Sequence, residues 1–165
     1  MSKNNPFRLV LPGFLFLNLC LAACQQTEPQ ASKQANTGER LEYYGTGALQ
    51  RRITEVNGKK HGKMTDYYAD GRLMAERWFE NDRQAGRTVI YYPGGSVKEV
   101  QYYTDGLKQG GDTVWYEDGK IQFVAFFNAD KRDGYFRKWS PEGALVFEAR
   151  YKMDSLAEVR GKAVR

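Results

Sequence analysis

The chain has 165 residues, of which 41% are hydrophobic, 27% charged and 14% aromatic, and its formal net charge is +5. This length allows one domain of ordinary size, and so many aromatic residues exclude a wholly disordered chain. One His and two Cys are too few for most zinc sites and for most nucleophilic triads.

Residues 1–23 have the pattern of a secretory signal peptide. Lys3 and Arg8 form a basic head, and a mostly apolar run extends from residue 9 to residue 23. A run of about 15 residues is too short to span a bilayer, which needs roughly 20. The sequence Leu-Ala-Ala-Cys at residues 21–24 resembles the lipobox of bacterial lipoproteins; the alternative is an ordinary signal peptide that contains a cysteine.

The lipobox resemblance implies that the chain is cut before Cys24, which then carries the lipid that anchors it to the membrane. Gln25 stands where an aspartate marks inner-membrane retention in many such lipoproteins, which implies the periplasmic side of the outer membrane. Loss of residues 1–23 lowers the basic residues from 25 to 23 against 20 acidic ones, so the formal charge falls from +5 to +3. This mild charge and the periplasmic location argue against nucleic acid as a partner.

Residues 24–40 are predicted to form the lipidated cysteine and a flexible tether. The segment from 25 to 40 is rich in polar residues and has too few apolar ones for a core. As a random coil it would span roughly 20–25 Å, so the folded part would stand just off the membrane surface.

The next part of the chain repeats every 24 residues, and five units occupy residues 41–154. The units share a lead aromatic residue, which stands at Tyr43, Tyr67, Tyr91, Trp115 and Trp139. A glycine follows four residues later, at Gly47, Gly71, Gly95, Gly119 and Gly143. A second glycine column stands at Gly62, Gly86, Gly110 and Gly134.

Each unit is predicted to be a β-hairpin. In the third unit, the β-prone runs 87–92 and 96–103 flank Pro93-Gly94-Gly95, where glycine favours a tight turn. Residues 104–111 are predicted to form a wider polar turn. The fold class is therefore predicted to be all-β: an antiparallel meander of tandem 24-residue hairpins, about ten strands in one elongated, twisted or curled sheet.

The tail, residues 155–165, is predicted to support at most one capped helical turn. Ser155 and Glu158 have the spacing of a capping box, in which each side chain bonds to the backbone of the other residue.

The alternation of side chains along the returning strands assigns the two faces of the sheet. The face predicted to be the core side carries Leu73, Ala75, Arg77, Phe79, Val97, Glu99, Gln101, Tyr103, Ile121, Phe123, Ala125, Phe127, Leu145, Phe147, Ala149 and Tyr151. The other face carries Trp78, Val100, Tyr102, Val124 and Phe126. A single-layer sheet has no second layer to cover this face, so either the sheet curls strongly or a band of aromatic residues stays exposed.

The run from Asn57 to Gly62, followed by Tyr67-Tyr68-Ala69-Asp70-Gly71, resembles the bacterial variant of the MORN repeat, and the resemblance covers residues 41–152. It implies one hairpin per repeat in a continuous sheet. Proteins of this type are often labelled antitoxin-like, and MORN repeats generally act as scaffolds or as surfaces that contact proteins or lipids. The wider turn, which is the second turn of each unit, departs from the Asn-Gly consensus at Asn81-Asp82, Asp105-Gly106 and Ala129-Asp130.

Two groups of side chains are candidates for binding a partner. The aromatic candidates are Tyr68, Trp78, Tyr92, Tyr102, Tyr116 and Phe126. The basic candidates stand in the second turns, where they would form a basic edge: Lys59, Lys60, Arg83, Lys108, Lys131 and Arg132. The tight turns carry acidic residues, which would form an opposite edge: Asp70, Glu117, Asp118 and Glu142. The alternative interpretation is that the aromatic residues belong to the core and that the charged turns only keep the edges soluble.

These features predict a non-enzymatic, lipid-anchored protein that binds a protein partner and needs no cofactor or metal. Within that class, the family resemblance implies an antitoxin-like or immunity role against a toxin that acts in the cell envelope. The alternative is a structural envelope scaffold that contacts lipid headgroups or peptidoglycan. A third hypothesis is a hydrolase with a carboxylate pair drawn from Glu117, Asp118, Asp130 and Asp133. His61, the only histidine, is interpreted as a solvated turn residue.

Overall fold

The computed structural model describes residues 35–160 and 162–163. The predicted signal peptide, Cys24 and the predicted tether up to residue 34 lie outside this part of the chain. Among the described residues, no helix has the length and the apolar character needed to cross a bilayer.

Within the described part of the chain, fourteen β-segments form one sheet. Their bounds are β1 Thr37–Tyr43, β2 Leu49–Val56, β3 Lys59–Tyr67, β4 Leu73–Glu80, β5 Arg83–Tyr91, β6 Val97–Thr104, β7 Leu107–Lys108, β8 Gly110–Trp115, β9 Ile121–Asn128, β10 Lys131–Arg132, β11 Gly134–Trp139, β12 Leu145–Lys152, β13 Ser155–Val159 and β14 Lys162–Ala163. The order in the sheet follows the chain, with β7 and β10 as short additions that pair with β6 and β9. All the pairs are antiparallel, so the predicted all-β meander is confirmed.

The tight turns form where the first glycine column predicted them. These glycines have φ angles between 85° and 91°, a conformation that other residues adopt only with strain. In the second unit the Gly71 N–H donates to the Tyr68 carbonyl at 2.9 Å, and the Tyr68 N–H donates to the Arg72 carbonyl at 2.8 Å. The same pair of bonds recurs at every tight turn, so the repeat in the sequence is a repeat in backbone geometry.

The predicted wider turn is wrong. In the third unit a two-residue turn, Asp105-Gly106, joins β6 directly to β7, and the strand resumes as β8 after an interruption at Gln109. The register changes from Tyr103 opposite Lys108 to Val100 opposite Thr113, which inserts two extra residues into the later strand. Because the shift is an even number, each side chain keeps its face of the sheet.

Aspartate in the second turn links neighbouring repeats. Asp82 has a φ of 68°, which asparagine and aspartate tolerate better than most residues. Its N–H donates to the Lys60 carbonyl, and its Oδ1 accepts the Lys60 N–H, both at 2.9 Å. Asp130 and Asp154 make the same two bonds two repeats and three repeats further along, with the backbones of Lys108 and Arg132. The departure from the consensus turn therefore has a structural reason.

Both ends of the sheet extend beyond the predicted repeats. Residues 37–40, which the prediction placed in the tether, belong to β1 and pair with 53–56 of β2. The tail forms β13, which pairs with β12, so the predicted helical turn is also wrong. In both places the edge strand of the repeats, β2 or β12, has free backbone groups with which the added strand forms hydrogen bonds. The polar side chains of the added strands fit there because they stay largely exposed.

The register defines a core face, which carries Ala75, Phe79, Ala125 and Ala149, all of them buried. Their partners across the strands extend this face to most of the other buried residues: Ile53, Met64, Asp66, Thr88, Asp112 and Val114. The prediction of this face is wrong for Ile121 and Leu145, which are 41% and 49% exposed. A β-bulge beside each tight turn shifts the register there.

Candidate functional site

A row of exposed aromatic side chains crosses the opposite, outer face of the sheet. Trp78, Tyr102 and Phe126 stand at equivalent positions of β4, β6 and β9 and are 48%, 45% and 44% exposed. We call these three residues the aromatic row. Thr54 precedes them and Arg150 follows them in the same column of the repeat. Since neighbouring strands lie about 4.8 Å apart and one strand separates each pair, an aromatic ring recurs roughly every 10 Å.

The aromatic row has basic side chains beside it. Lys63 lies opposite Trp78, and Arg87 lies opposite Tyr102, in the strand register. Further along the same face, Tyr135 is 39% exposed, and the Arg137 guanidinium lies 4.3 Å from the centre of its ring. Exposed aromatic rings beside Arg are the composition that protein interfaces favour at their centres.

The other three aromatic candidates, Tyr68, Tyr92 and Tyr116, lie elsewhere and have a structural task. Each is half-buried, and each hydroxyl donates to the carbonyl of the lead aromatic residue in the next repeat, at 2.7, 2.8 and 2.8 Å. Tyr44 makes the same bond to Tyr67 at 2.7 Å. These hydroxyls join consecutive hairpins, so the structure does not bring the three tyrosines into the aromatic row.

The six basic candidates lie along the second turns, but acidic residues interrupt the edge. The turns also contain Asp82, Asp105, Asp130 and Asp154. Arg83 lies 3.8 Å from Asp105, and Arg132 lies 3.0 Å from Asp154. The edge is therefore of mixed charge rather than uniformly basic. The predicted acidic edge is mixed in the same way, because Asp70 pairs with Arg72 and Asp118 with Lys120.

Several basic side chains also cover aromatic rings of the core face. Lys60 Nζ lies 4.7 Å from the ring centre of Phe79, and Lys108 Nζ lies 4.6 Å from that of Phe127. Cation–π contacts of this kind contribute about 0.5–1 kcal/mol at exposed sites. Lys59, Arg83 and Lys131 are the exposed members of the basic set.

A buried ionic cluster occupies the core face near the first repeats. Asp66 is 1% exposed, and its two carboxylate oxygens accept hydrogen bonds from Arg51 and Arg77. Arg51 also lies 3.4 Å from Glu42. Burial lowers the pKa of Arg77, and the positive charge of Arg51 lowers it further. One buried carboxylate therefore holds two guanidinium groups from the strands on either side.

A second polar cluster joins β6 to the following hairpin. Lys108 donates to Asp112 Oδ2 at 2.8 Å, and Asp112 is 2% exposed. Its other oxygen, Oδ1, is buried without a hydrogen-bond partner among the described residues. Burial raises the pKa of Glu99, and the neighbouring charge of Asp112 adds to the rise. The raised pKa favours the protonated form of Glu99, whose O–H is the kind of donor that Asp112 Oδ1 lacks in this carboxyl pair.

This carboxyl pair was not among the predicted ones, which were drawn only from acidic residues in turns. Glu117, Asp118 and Asp130 are exposed, and the structure does not gather them with Asp133 into a buried pair. The signal that was available was the placement of Glu99 and Gln101 on the predicted core face, where a charged group needs a partner. The partner, Asp112, could be identified only from the strand register.

We expect Glu99→Gln to remove a pH dependence of stability. Because the pKa of Glu99 is raised in the folded protein, the folded state keeps a proton that the unfolded state has lost, so stability falls as pH rises through this range. Glutamine keeps a donor for Asp112 at every pH. Urea unfolding between pH 4 and pH 8 should show a flatter profile for the variant, which at pH 8 should be more stable by about 1 kcal/mol, the lower end of the range for satisfying a buried polar atom.

The control for this prediction is Glu117→Gln, at an exposed turn position, which should leave the wild-type slope unchanged. Parallel pH profiles for wild type and Glu99→Gln would show that the two carboxyl groups do not share a proton.

Among the described residues, no three His, Cys, Asp or Glu side chains come together in an arrangement that could hold a metal ion. The sequence matches no protein-family model and no curated protein. The resemblance to the MORN repeat therefore stays a prediction from the residues that carry it.

Proposed function

We propose that this protein binds another protein through the aromatic row on the outer face of its sheet. The observation that carries the proposal is the exposure of Trp78, Tyr102 and Phe126 at matching positions of three consecutive repeats. Water-exposed rings of this size gain most when a partner covers them, and Trp, Tyr and Arg supply much of the binding energy in protein interfaces.

The surface is held in shape before any partner arrives. The tyrosine hydroxyls and the aspartate turns tie each hairpin to the next, so few backbone torsions need to be fixed on binding. A pre-organised surface loses less conformational entropy in a complex, which favours affinity. The mixed charge of the turn edge favours a protein surface over anionic lipid headgroups, which would select a uniformly basic edge.

The finer proposal is an immunity role for a lipoprotein anchored through Cys24 at the periplasmic side of the outer membrane, where it would neutralise a toxin that acts in the envelope. Its support is the lipobox pattern at residues 21–24 and the resemblance of the repeats to antitoxin-like MORN proteins. The partner is then expected to be harmful to cells that lack this protein.

The experiment compares full-length wild type with Trp78→Ala/Tyr102→Ala in membranes of the native host. Chemical cross-linking and co-purification should recover the same protein partner with wild type and with Tyr43→Ala, a matched aromatic residue that is 56% exposed outside the aromatic row. The double variant should recover at least about tenfold less, since loss of one hot-spot residue weakens binding by about 2 kcal/mol or more.

Equal recovery with the double variant, or no protein partner with wild type, would contradict the binding proposal. The immunity proposal has a separate test, in which the purified partner is expressed in the periplasm of cells with and without this protein. Wild type should restore growth and the double variant should not. A partner that is harmless without this protein would refute the immunity role alone.

A further inference from the structure

Neighbouring repeats enclose a cleft between β3, β4 and β5 at one end of the aromatic row. Its lining includes His61, Gly62, Trp78, Glu80 and Ala85, and its volume is about 330 Å³. Gly86 also lines it, and a Cβ atom at this position would lie 3.9 Å from the Cβ of Trp78. The second glycine column therefore leaves room for the indole and for whatever the cleft holds.

The same cleft occurs again three repeats later, with different side chains. Its lining includes Asp133, Gly134, Arg150, Lys152 and Ala157, each of which occupies the repeat position of its counterpart in the first cleft. The backbone of the repeat therefore forms the cleft, and the side chains of each repeat determine what the cleft can bind. Where the first cleft has Trp78 and Glu80, the later one has Arg150 and Lys152. The lining is therefore net negative in the first cleft and, with Asp133 counted, net positive in the later one.

Three groups in the first cleft lack a partner that would satisfy them. His61 Nδ1 is buried and has no hydrogen-bond partner among the described residues. Glu80 is exposed and makes no ion pair in that part of the chain, since Arg83, opposite it in the register, contacts Asp105 instead. Trp78 is 48% exposed. Together they present an acceptor, a negative charge and an aromatic face.

A guanidinium group complements all three features at once. It is planar, always charged and rich in N–H donors, and it stacks on the face of an indole. Neutral imidazole accepts one hydrogen bond at its unprotonated nitrogen. Lys63, the basic residue opposite Trp78, already contacts Glu76 and so leaves Glu80 available.

We propose that this cleft binds an arginine side chain of the protein partner, an inference that rests on the proposed function. The guanidinium stacks on Trp78, donates to His61 Nδ1 and pairs with Glu80. The later cleft repels the same group through Arg150 and Lys152. The two clefts therefore orient the partner along the sheet, with its arginine at the end nearer the N-terminal repeats.

The test uses the full-length protein in detergent micelles, without a histidine tag, so that His61 gives the only imidazole signals in the NMR spectrum. The probe is N-acetyl-arginine amide, and the matched control probe is N-acetyl-citrulline amide, which has the same shape and no charge. We expect saturable shifts of the His61 ring and of the Trp78 indole N–H, the latter assigned by its loss in Trp78→Phe. The citrulline probe should bind about fivefold more weakly.

Glu80→Gln should reduce the affinity for the arginine probe to that for the citrulline probe, whereas Lys152→Gln, at the matching position of the later cleft, should leave it unchanged. Shifts that do not saturate, or equal affinity for the two probes, would overturn the inference. Partner capture that depends on Trp78 and Tyr102 would survive that result. Conversely, arginine binding without any captured partner would contradict the proposed function and not the chemistry of the cleft.

Discussion

Replacing Asp66 with asparagine should lower the free energy of unfolding by about 3 kcal/mol, at the lower end of the range for breaking a buried ion pair. The substitution keeps the shape of the side chain and removes the only charge that Arg51 and Arg77 share on the core face. Arg77 then has no ion-pair partner among the described residues, and Arg51 keeps only its longer contact with Glu42, at 3.4 Å. The expected loss is at the lower end because the side chains of Arg51 and Arg77 retain 35% and 25% of their exposure, so water screens part of the repulsion.

Urea unfolding at pH 7 measures this effect, and Asp70→Asn is the control. Asp70 also pairs with an arginine, at 2.7 Å, but in an exposed turn, where loss of the pair should not change stability measurably. If Asp66→Asn leaves too little folded protein, Asp66→Asn/Arg77→Met should restore part of the stability by removing one uncompensated charge. Equal stability of Asp66→Asn and Asp70→Asn would show that the cluster contributes nothing to folding.

The part of the sheet in which Asp66→Asn lowers stability is also predictable. Each hairpin contacts mainly its neighbours in sheet order, and in such repeat architectures stability is nearly a sum of local terms. Hydrogen exchange in Asp66→Asn should therefore rise most in β2, β3 and β4, the strands that carry Arg51, Asp66 and Arg77. Protection in β11 and β12 should change little.

The sequence predicted the parts of the fold that depend on glycine and on constant spacing. A glycine four residues after each lead aromatic residue can adopt a positive φ that closes a tight hairpin turn, so the turn positions and the meander followed directly. The faces followed from side-chain alternation, which placed Trp78, Tyr102 and Phe126 away from the predicted core face. Whether a curl of the sheet would cover them was left open, and in the structure they are exposed.

The second turns could not be predicted in the same way, because their left-handed residues are often not glycine. Asn81 and Asp82 both have positive φ, and what stabilises Asp82 there is a pair of hydrogen bonds to Lys60, a residue of the preceding repeat. A contact between repeats is not visible in the composition of a single turn. The strand β1 was not predicted because its residues are mostly polar. It forms because its backbone pairs with the edge of β2.

The polar clusters on the core face depend on which residues of neighbouring strands lie opposite each other. The sequence does not determine this strand register, because two extra residues can be inserted after a second turn. The insertion near Gln109 places Val114 opposite Glu99, so Asp112, two residues earlier in the strand, is a diagonal neighbour of Glu99 on the same face. Tyr68, Tyr92 and Tyr116 are a related case. Their 24-residue spacing is visible in the sequence, but only the structure shows that each hydroxyl donates to a carbonyl of the next repeat and so joins the two repeats.

Replacing Gly134 with alanine should destabilise the domain by about 3 kcal/mol, while Gly110→Ala, in the same column, should cost about 1 kcal/mol. Gly134 has a φ of 133°, and a Cβ atom there would lie 2.9 Å from the Cβ of Phe126. A rotamer change cannot relieve this contact, because the Cβ of Phe126 is fixed by the backbone of β9. Gly110 has a φ of 86° and nothing within 4 Å of the added atom, so only backbone strain is expected.

Urea unfolding of the two variants separates steric overlap from backbone strain, and the binding assay shows whether the outer face is disturbed. Gly134→Ala should also weaken partner capture, because the overlap must displace β11 or the part of β9 that carries Phe126 in the aromatic row. Phe126→Ala offers no relief, since alanine keeps the Cβ atom, whereas Phe126→Gly removes it. Gly134→Ala/Phe126→Gly should therefore be less destabilised than the two single effects combined. Equal decreases in the free energy of unfolding for Gly134→Ala and Gly110→Ala would contradict this prediction. They would mean that β9 and β11 move apart without cost near Gly134, and that the second glycine column is needed only for the turn.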